Sequence, residues 1–373
     1  MPQYGQVYPI AEDRNVDLPS IERELRNLWQ GTAETRDEAD APVTRVCTLN
    51  LVAVAPDARS ACRASEAGTS ITARYPCRVI VATVDRSGSD ALEASVSAYC
   101  HPAGASSKPI CCERISLYAS GKSVSQIAWA VTPLLAADVP VFVWLQGDPD
   151  PGDDLYTRLV AIADRLVVDL QSSARPDRLL PVLAAYTNAS RPDVTDMAWR
   201  RTANWREMVA TMFDPPSFRA YLGGLKDAEV GYVPGGAGWT QAQAALIGSW
   251  LCERLGWLPK GRFKRDGDSW TLKTTTGAGA GQLTLKPDAR PGVAPGDLTS
   301  VVLPGSGGVR LCCERSHRPD MVELQIDRPD TDPLIWRQPI ETPDTAWLLG
   351  QELERPHGSP AFEKVLALLA TAI

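Results

Sequence analysis

The 373-residue chain carries 38 basic against 45 acidic residues, a net charge of −7, with 44% hydrophobic and 22% charged side chains. These are the proportions of an ordinary globular protein with room for two domains, and neither the net charge nor any basic run suits a nucleic-acid or anionic-membrane surface. Nine cysteines, an odd number on so long a chain, exclude a fully paired disulfide framework.

The first twenty residues lack the positive stretch and apolar run of a secretory signal, so a cytoplasmic location is expected. Ile21, Leu25, Leu28 and Trp29 recur at helical spacing and predict one amphipathic helix, followed by a solvated linker, AETRDEADAP. From Arg45 the chain alternates. RVCTLNLVAVA reads as a strand and DARSACRASEAGTSITARYP as a helix. CRVIVATVD, ALEASVSAYC and ICCERISLYAS follow as strands, the middle ones suggesting an inserted hairpin. The apolar window Ile127–Leu145 is broken by Pro133, Asp138 and Pro140, so it reads as a buried helix, a turn and a buried strand rather than a membrane span. DDLYTRLVAIAD then predicts a helix and RLVVDL a short strand.

Residues 175–216 read as helical, broken near Asn188–Pro192 and ended by Pro215-Pro216. After the strand-like AEVGYV, TQAQAALIGSWLCERLGWLP predicts a helix with Thr240 as N-cap and Gly256 as its stop. Five short strands (SWTLKTTT, GQLTLKP, LTSVVLPG, GVRLCCERS, MVELQID) separated by turn residues predict an antiparallel meander, and a last helix buries Phe362, Val365, Leu366 and Leu369. The expected fold is α/β: an N-terminal mixed-sheet α/β sandwich without a nucleotide fingerprint, then an α+β domain carrying the meander. The expected organisation is 1–44 as helix and linker, 45–175 as α/β domain, and 176–373 as helical segment plus α+β domain.

The tetrapeptide CCER occurs at 111–114 and again at 312–315, with CER at 252–254. Cys100, His101, Cys111 and Cys112 offer zinc-type ligands, but adjacent strand residues point to opposite faces, so burial as small hydrophobes is the preferred reading. A disulfide between strands or between domains stays open. The three histidines, His101, His317 and His357, read as surface residues. No nucleophile elbow, zinc-protease or phosphate-loop motif occurs. The first strand enters its helix through Ala-Pro-Asp rather than a glycine-rich turn, and GAGAGQ at 277–282 reads as a hairpin between strands. Asp148, Asp150, Asp153 and Asp154 crowd one loop, best explained as a helix entry. No metal, cofactor or catalytic residue is called for, so the residues favour a binding or regulatory protein.

RVCTLNLVAVA, ICCERI, PLLAADVPVFVWLQGDP, ADRLVVD, VTDMAWRRTANWREMVATMFDPP and LIGSWLCERLGW together resemble the glucose-6-phosphate dehydrogenase assembly protein family, OpcA. The resemblance runs from the first helix to about Trp257 and is looser beyond. It implies a non-catalytic partner of glucose-6-phosphate dehydrogenase that favours the active oligomer and activates it in the oxidative pentose phosphate pathway. Redox control through thioredoxin is implied for members from cyanobacteria. Trp199, Arg200, Arg201, Trp205, Arg206 and Phe213 have the aromatic-plus-arginine composition of interface hot spots. They read either as a docking face or, for the tryptophans with Met208 and Met212, as core, with the arginines as the exposed members. For a redox switch the candidates are Cys47, Cys77, Cys111, Cys112, Cys312 and Cys313. The competing reading is an enzyme or binding protein acting on a sugar phosphate or nucleotide. A general chaperone is a third.

Overall fold

The computed structural model describes residues 8–34, 44–101, 110–150, 152–187, 192–355 and 357–373. The chain divides into two units, the first taking residues up to 168 with 189–195 and 344–357, the second 169–188, 196–343 and 358–373.

The first unit is one sheet of β1 (Tyr8–Val16), β2 (Thr44–Arg45), β3 (Leu49–Ala55), β4 (Cys77–Asp85), β5 (Ala91–His101), β6 (Ile110–Ser120), β7 (Val141–Leu145), β8 (Arg165–Val168) and β9 (Asp193–Asp196). The strand order is β1-β5-β6-β4-β3-β7-β8-β9, with β2 beside β6. From β6 to β8 neighbouring strands are parallel, while β5 and β1 add antiparallel strands at one edge. Taken along the chain, the parallel strands follow the 3-2-1-4-5 order of doubly wound α/β folds. Three crossovers are helical, through α2 (Ala58–Ile71), α3 (Ile127–Val131) and α4 (Asp154–Ile162), while β4 passes to β6 through β5; α1 (Ile21–Glu34) lies ahead of them.

All seven residues of β3 are buried, as a parallel strand covered on both faces requires. Its Asn50 donates to the Ala136 carbonyl at 3.0 Å and accepts from the Ala136 amide at 2.8 Å, fixing the turn before β7. Gly68 lets α2 close on β4, because a Cβ there would stand 2.8 Å from Val79 Cγ1. One buried charge of this sheet is Arg78. Its Nε and Nη2 both reach Glu113 Oε2, at 2.9 and 2.8 Å, and its Nη1 reaches Glu22 at 3.1 Å and the Leu134 carbonyl. One guanidinium therefore ties β4, β6, α1 and the segment before β7 together.

The second unit begins with α5 (Pro176–Thr187), α6 (Met197–Arg201), α7 (Ala203–Thr211) and α8 (Pro216–Arg219), then α9 (Ala242–Leu255); α10 (Thr345–Glu354) returns to the first unit, and α11 (Pro360–Ala372) closes the second. Its sheet holds β10 (Asp227–Tyr232), β11 (Leu258–Pro259), β12 (Lys264–Asp266), β13 (Ser269–Thr276), β14 (Gly279–Pro287), β15 (Leu298–Pro304), β16 (Arg310–Arg315), β17 (Met321–Arg328) and β18 (Thr331–Pro339). The order is β11-β13-β14-β10-β15-β16-β17-β18. The five expected strands are all present, yet β10 inserts between β14 and β15, running parallel to the first and antiparallel to the second. The meander is thus two antiparallel runs about a central strand. Helix α9 lies on β10 and β14 and ends at Gly256 in the left-handed conformation, as expected. Gln241 rather than Thr240 occupies its N-cap position, and no side chain caps it. Residues 193–196, expected as helix, form β9 instead, because Val194 and Thr195 are β-branched and Asp196 starts the helix after them.

A lone buried charge is far more costly than a paired one. Arg78→Met removes the buried cation that meets Glu113, and urea unfolding is expected to show a loss of about 3–5 kcal/mol. Arg78→Met combined with Glu113→Leu recovers most of that loss, since no unpaired charge remains.

Candidate docking and thiol sites

The segment 196–213 is built inward. Asp196 is fully buried and caps α6: Oδ1 accepts from the amides of Leu170 (2.9 Å) and Ala198 (3.1 Å), and Oδ2 from that of Trp199 (3.1 Å). Burial, helped by the charge of Asp169, pushes its carboxyl up to about 7. Asp169 itself takes both terminal nitrogens of Arg201, at 2.8 and 2.9 Å. Trp199 meets the Phe362 ring at 5.7 Å on α11, and the Arg206 guanidinium stacks 3.4 Å from its centroid while donating to the Trp199 carbonyl at 2.7 Å. Trp205, Met208 and Met212 are buried in the same unit, and Phe213 is half-buried. The arginines, expected to be the exposed members, are not: Arg200 is buried, and Arg201 and Arg206 are half-buried and engaged as described. Aromatic rings with arginines stacked or paired among them serve the interior as well as they serve an interface.

The most exposed tryptophan among the described residues is Trp129, at 64%. It stands on α3 with the Arg158 guanidinium of α4 at 4.3 Å over its ring, and Arg158 is held by Asp154 at 2.6 Å. The reading of 127–145 as a buried run conceals it. Helical spacing is the available signal: Ile127, Val131 and Leu134 fall on the buried side, and Trp129 lies opposite.

The CCER repeats lie on strands, as expected, and alternation separates their cysteines. Cys111 faces Cys100 across the β5–β6 pair and is disulfide-bonded to it. Cys112 sits on the other face, close to Cys77, and burial pushes its thiol up to about 12 and that of Cys77 up as well. Cys47 is half-buried and donates to the Leu49 carbonyl. Burial likewise raises Cys252 to about 12, Cys312 to about 11, and Cys313 further. Such thiols are poor nucleophiles near neutral pH. Cys100, weighed in the sequence as a zinc-type ligand but not among the redox candidates, is the partner, standing in the strand that precedes Cys111. The Glu of the first CCER is the buried partner of Arg78, and its Arg114 lies over Tyr99 at 4.8 Å.

Other candidates resolve into local structure. Asp57 caps α2, accepting from the Ser60 amide at 2.7 Å. Asp153 caps α4 and pairs with Arg86, and Asp150 accepts from the Gly152 amide. His317 and His357 are exposed, and the side chain of His101 lies outside the described residues. Among the described residues no group of three His, Cys, Asp or Glu is placed to hold a metal ion, and no helix is long and apolar enough to cross a membrane.

Two family models, described as the N-terminal domain and the C-terminal domain of a "Glucose-6-phosphate dehydrogenase subunit", match residues 68–185 and 192–366 respectively. Among curated relatives, the OxPP cycle protein OpcA of Nostoc punctiforme is 35% identical over 199 residues, 53% of this chain and 42% of that protein. The protein of the same name from Synechocystis sp. is 31% identical over 192 residues, 51% and 39% of the two chains. The chain therefore spans about four tenths of the length of these relatives. An oxidoreductase from Sinorhizobium meliloti superposes with a TM-score of 0.40 at 10% identity, over 85% of each chain, a likeness too distant to bear on activity.

In the folded chain Asp196 keeps its proton up to about pH 7, against an ordinary value of 3.8. The native state thus binds more protons between those values, and its contribution to stability falls as pH rises through them. The urea midpoint is expected to decline between about pH 4 and pH 7, and Asp196→Asn to flatten that decline. Asp196→Ala leaves three buried amides without an acceptor and is expected to lower stability by about 2–4 kcal/mol.

Proposed function

The chain belongs to the glucose-6-phosphate dehydrogenase assembly protein family, OpcA, and from that premise we propose that it is a non-catalytic partner of the dehydrogenase that promotes its active oligomer and raises its activity. The observation that carries this reading is that both family models, each described as a domain of a glucose-6-phosphate dehydrogenase subunit, together take in most of the chain. A partner of this kind needs no catalytic group. Binding one oligomeric form better than another shifts the equilibrium by the difference in affinity alone. The reading puts the protein in the cytoplasm and in the oxidative pentose phosphate pathway with the enzyme it serves.

The docking contact is assigned to Trp129 and Arg158, an exposed aromatic with an arginine stacked on it, which is the composition of hot spots. From the earlier candidates, Trp199 and Trp205 support the fold behind whichever face docks. Redox control, the finer part of the reading, acts through the Cys100–Cys111 bridge, with thioredoxin as the reductant. It is the bonded pair among the described cysteines, and burial keeps Cys77, Cys112, Cys252, Cys312 and Cys313 protonated.

Added to glucose-6-phosphate dehydrogenase, the purified chain is expected to raise its rate and to shift its mass distribution by mass photometry. No change in either at micromolar protein removes the proposal. Trp129→Ala is expected to weaken the half-maximal concentration for activation about tenfold or more with an unchanged unfolding midpoint. Trp205→Ala instead costs about 3–5 kcal/mol of stability. Reduced and oxidised protein are expected to activate to different extents, with Cys100→Ser abolishing the difference; equal activation leaves the bridge a purely structural role.

A further inference from the structure

A cavity of about 420 Å³ opens in the second unit where the turn at 169–172, the start of α9, the loop before β15 and the segment after β18 meet. Small-molecule sites usually measure about 300–1,000 Å³. Its polar lining includes Asp169, Gln171, Arg201, Gln243, Asp297 and Arg315, from five separate stretches of chain, with Glu341 and Thr342 from a sixth.

Most of these groups fix one another. Arg201 is spent on Asp169. The Gln243 amide nitrogen donates to Gln171 Oε1 at 2.8 Å and to Asp297 Oδ1 at 3.2 Å, and Gln171 Nε2 donates to the Pro295 carbonyl at 3.2 Å. What remains is a small set of uncommitted atoms. Gln243 is 2% exposed, yet its carbonyl oxygen accepts nothing from the described residues. Arg315 is 4% exposed and gives Nε to the Leu298 carbonyl at 2.7 Å and Nη1 to that of Pro319. Among the described residues its Nη2 makes no hydrogen bond, and the Asp297 carboxylate acts on it through its charge. The second oxygen of Asp297 is also open there. Buried polar side chains are rarely left with spare capacity at the wall of a cavity unless something else meets it.

The unspent atoms are two acceptors and one donor, and the lining charges nearly cancel, with Asp169, Asp297 and Glu341 against Arg201 and Arg315. A phosphate would face Asp169, Asp297 and Glu341 across the cleft, and a simple cation would face Arg315. A hydroxyl group both donates and accepts, so neighbouring hydroxyls on an uncharged molecule satisfy all three atoms. Pro295 and Ile340 supply apolar wall for the carbon face of such a molecule. We propose that this cleft binds a neutral polyhydroxylated small molecule of the sugar or polyol class.

Equilibrium dialysis of the full chain against radiolabelled D-glucose and D-sorbitol, with saturation-transfer NMR, tests this. Both read binding itself, whereas sugars raise the stability of any protein by exclusion from its surface. Saturable binding of at least one probe at a single site, in the millimolar range or tighter, is expected. Asp297→Asn should weaken it about tenfold or more, and so should Thr342→Trp, which fills the mouth from an exposed position and leaves the network intact. The proposal is overturned by no saturable binding of either probe, by binding unaffected in both variants, or by glucose 6-phosphate binding more tightly than glucose.

Discussion

A charge carried into a protein interior has to be met there, and in this chain that requirement organises both units. Arg78 between Glu113 and Glu22 pins the first sheet to α1. Arg165, almost fully buried, reaches the Glu352 carbonyl and Asp193 and lies over the Phe142 ring. In the second unit Arg201 answers Asp169, and Asp196 is satisfied by backbone amides instead of a cation. Each such cluster joins segments distant in sequence. Removing one member therefore does more than delete a bond: it leaves its partner charged and dry.

The same requirement decides what the family's most recognisable segment does. An aromatic stretch studded with arginines has two physical solutions, a solvent-facing patch awaiting a partner or an interior in which the arginines lie on ring faces and spend their hydrogens on carbonyls. Arg206 on Trp199 and Arg315 over Trp205 belong to the second kind. Trp129 with Arg158 instead faces solvent. Composition is blind to this difference, because the two solutions use the same residues.

Periodicity made much of the fold legible. The β3–α2–β4 unit, the β5–β6 pair, α9 with its Gly256 stop and the buried face of α11 all follow from spacing and turn residues. The elements that escaped have weak local signals. In β1 the run AEDRN hides alternation, and β18, TDPLIWRQP, is exposed along most of its length, with Pro333 inside it. Helix α10 follows a proline-rich approach that masks its start. Strand order is a different kind of information. Nothing local in β14 or β15 says that β10 will part them, since that is settled by which apolar faces meet under α9. The polar cleft was illegible for the same reason: its polar groups are adjacent only after six stretches have folded together.

The first sheet also explains why a doubly wound order need not bring a dinucleotide site with it. Ligands in such sheets gather at the carboxyl ends of the strands where the order reverses, which here falls between β3 and β7. There the chain fills its own crevice. The Gln146 amide bonds to the Val54 carbonyl at 3.0 Å, and Pro56 lies 3.4 Å from where a Cβ on Gly147 would stand. Asp57 places a carboxylate on the first-turn amide of α2 that a phosphate would otherwise use. The acid at the end of β4, Asp85, is spent on the amide and hydroxyl of Ser87. Pyrophosphate binding needs glycines that let the backbone approach and a helix N-terminus left open for an anion. Proline and aspartate at that turn remove both, so the doubly wound sheet persists here as a scaffold.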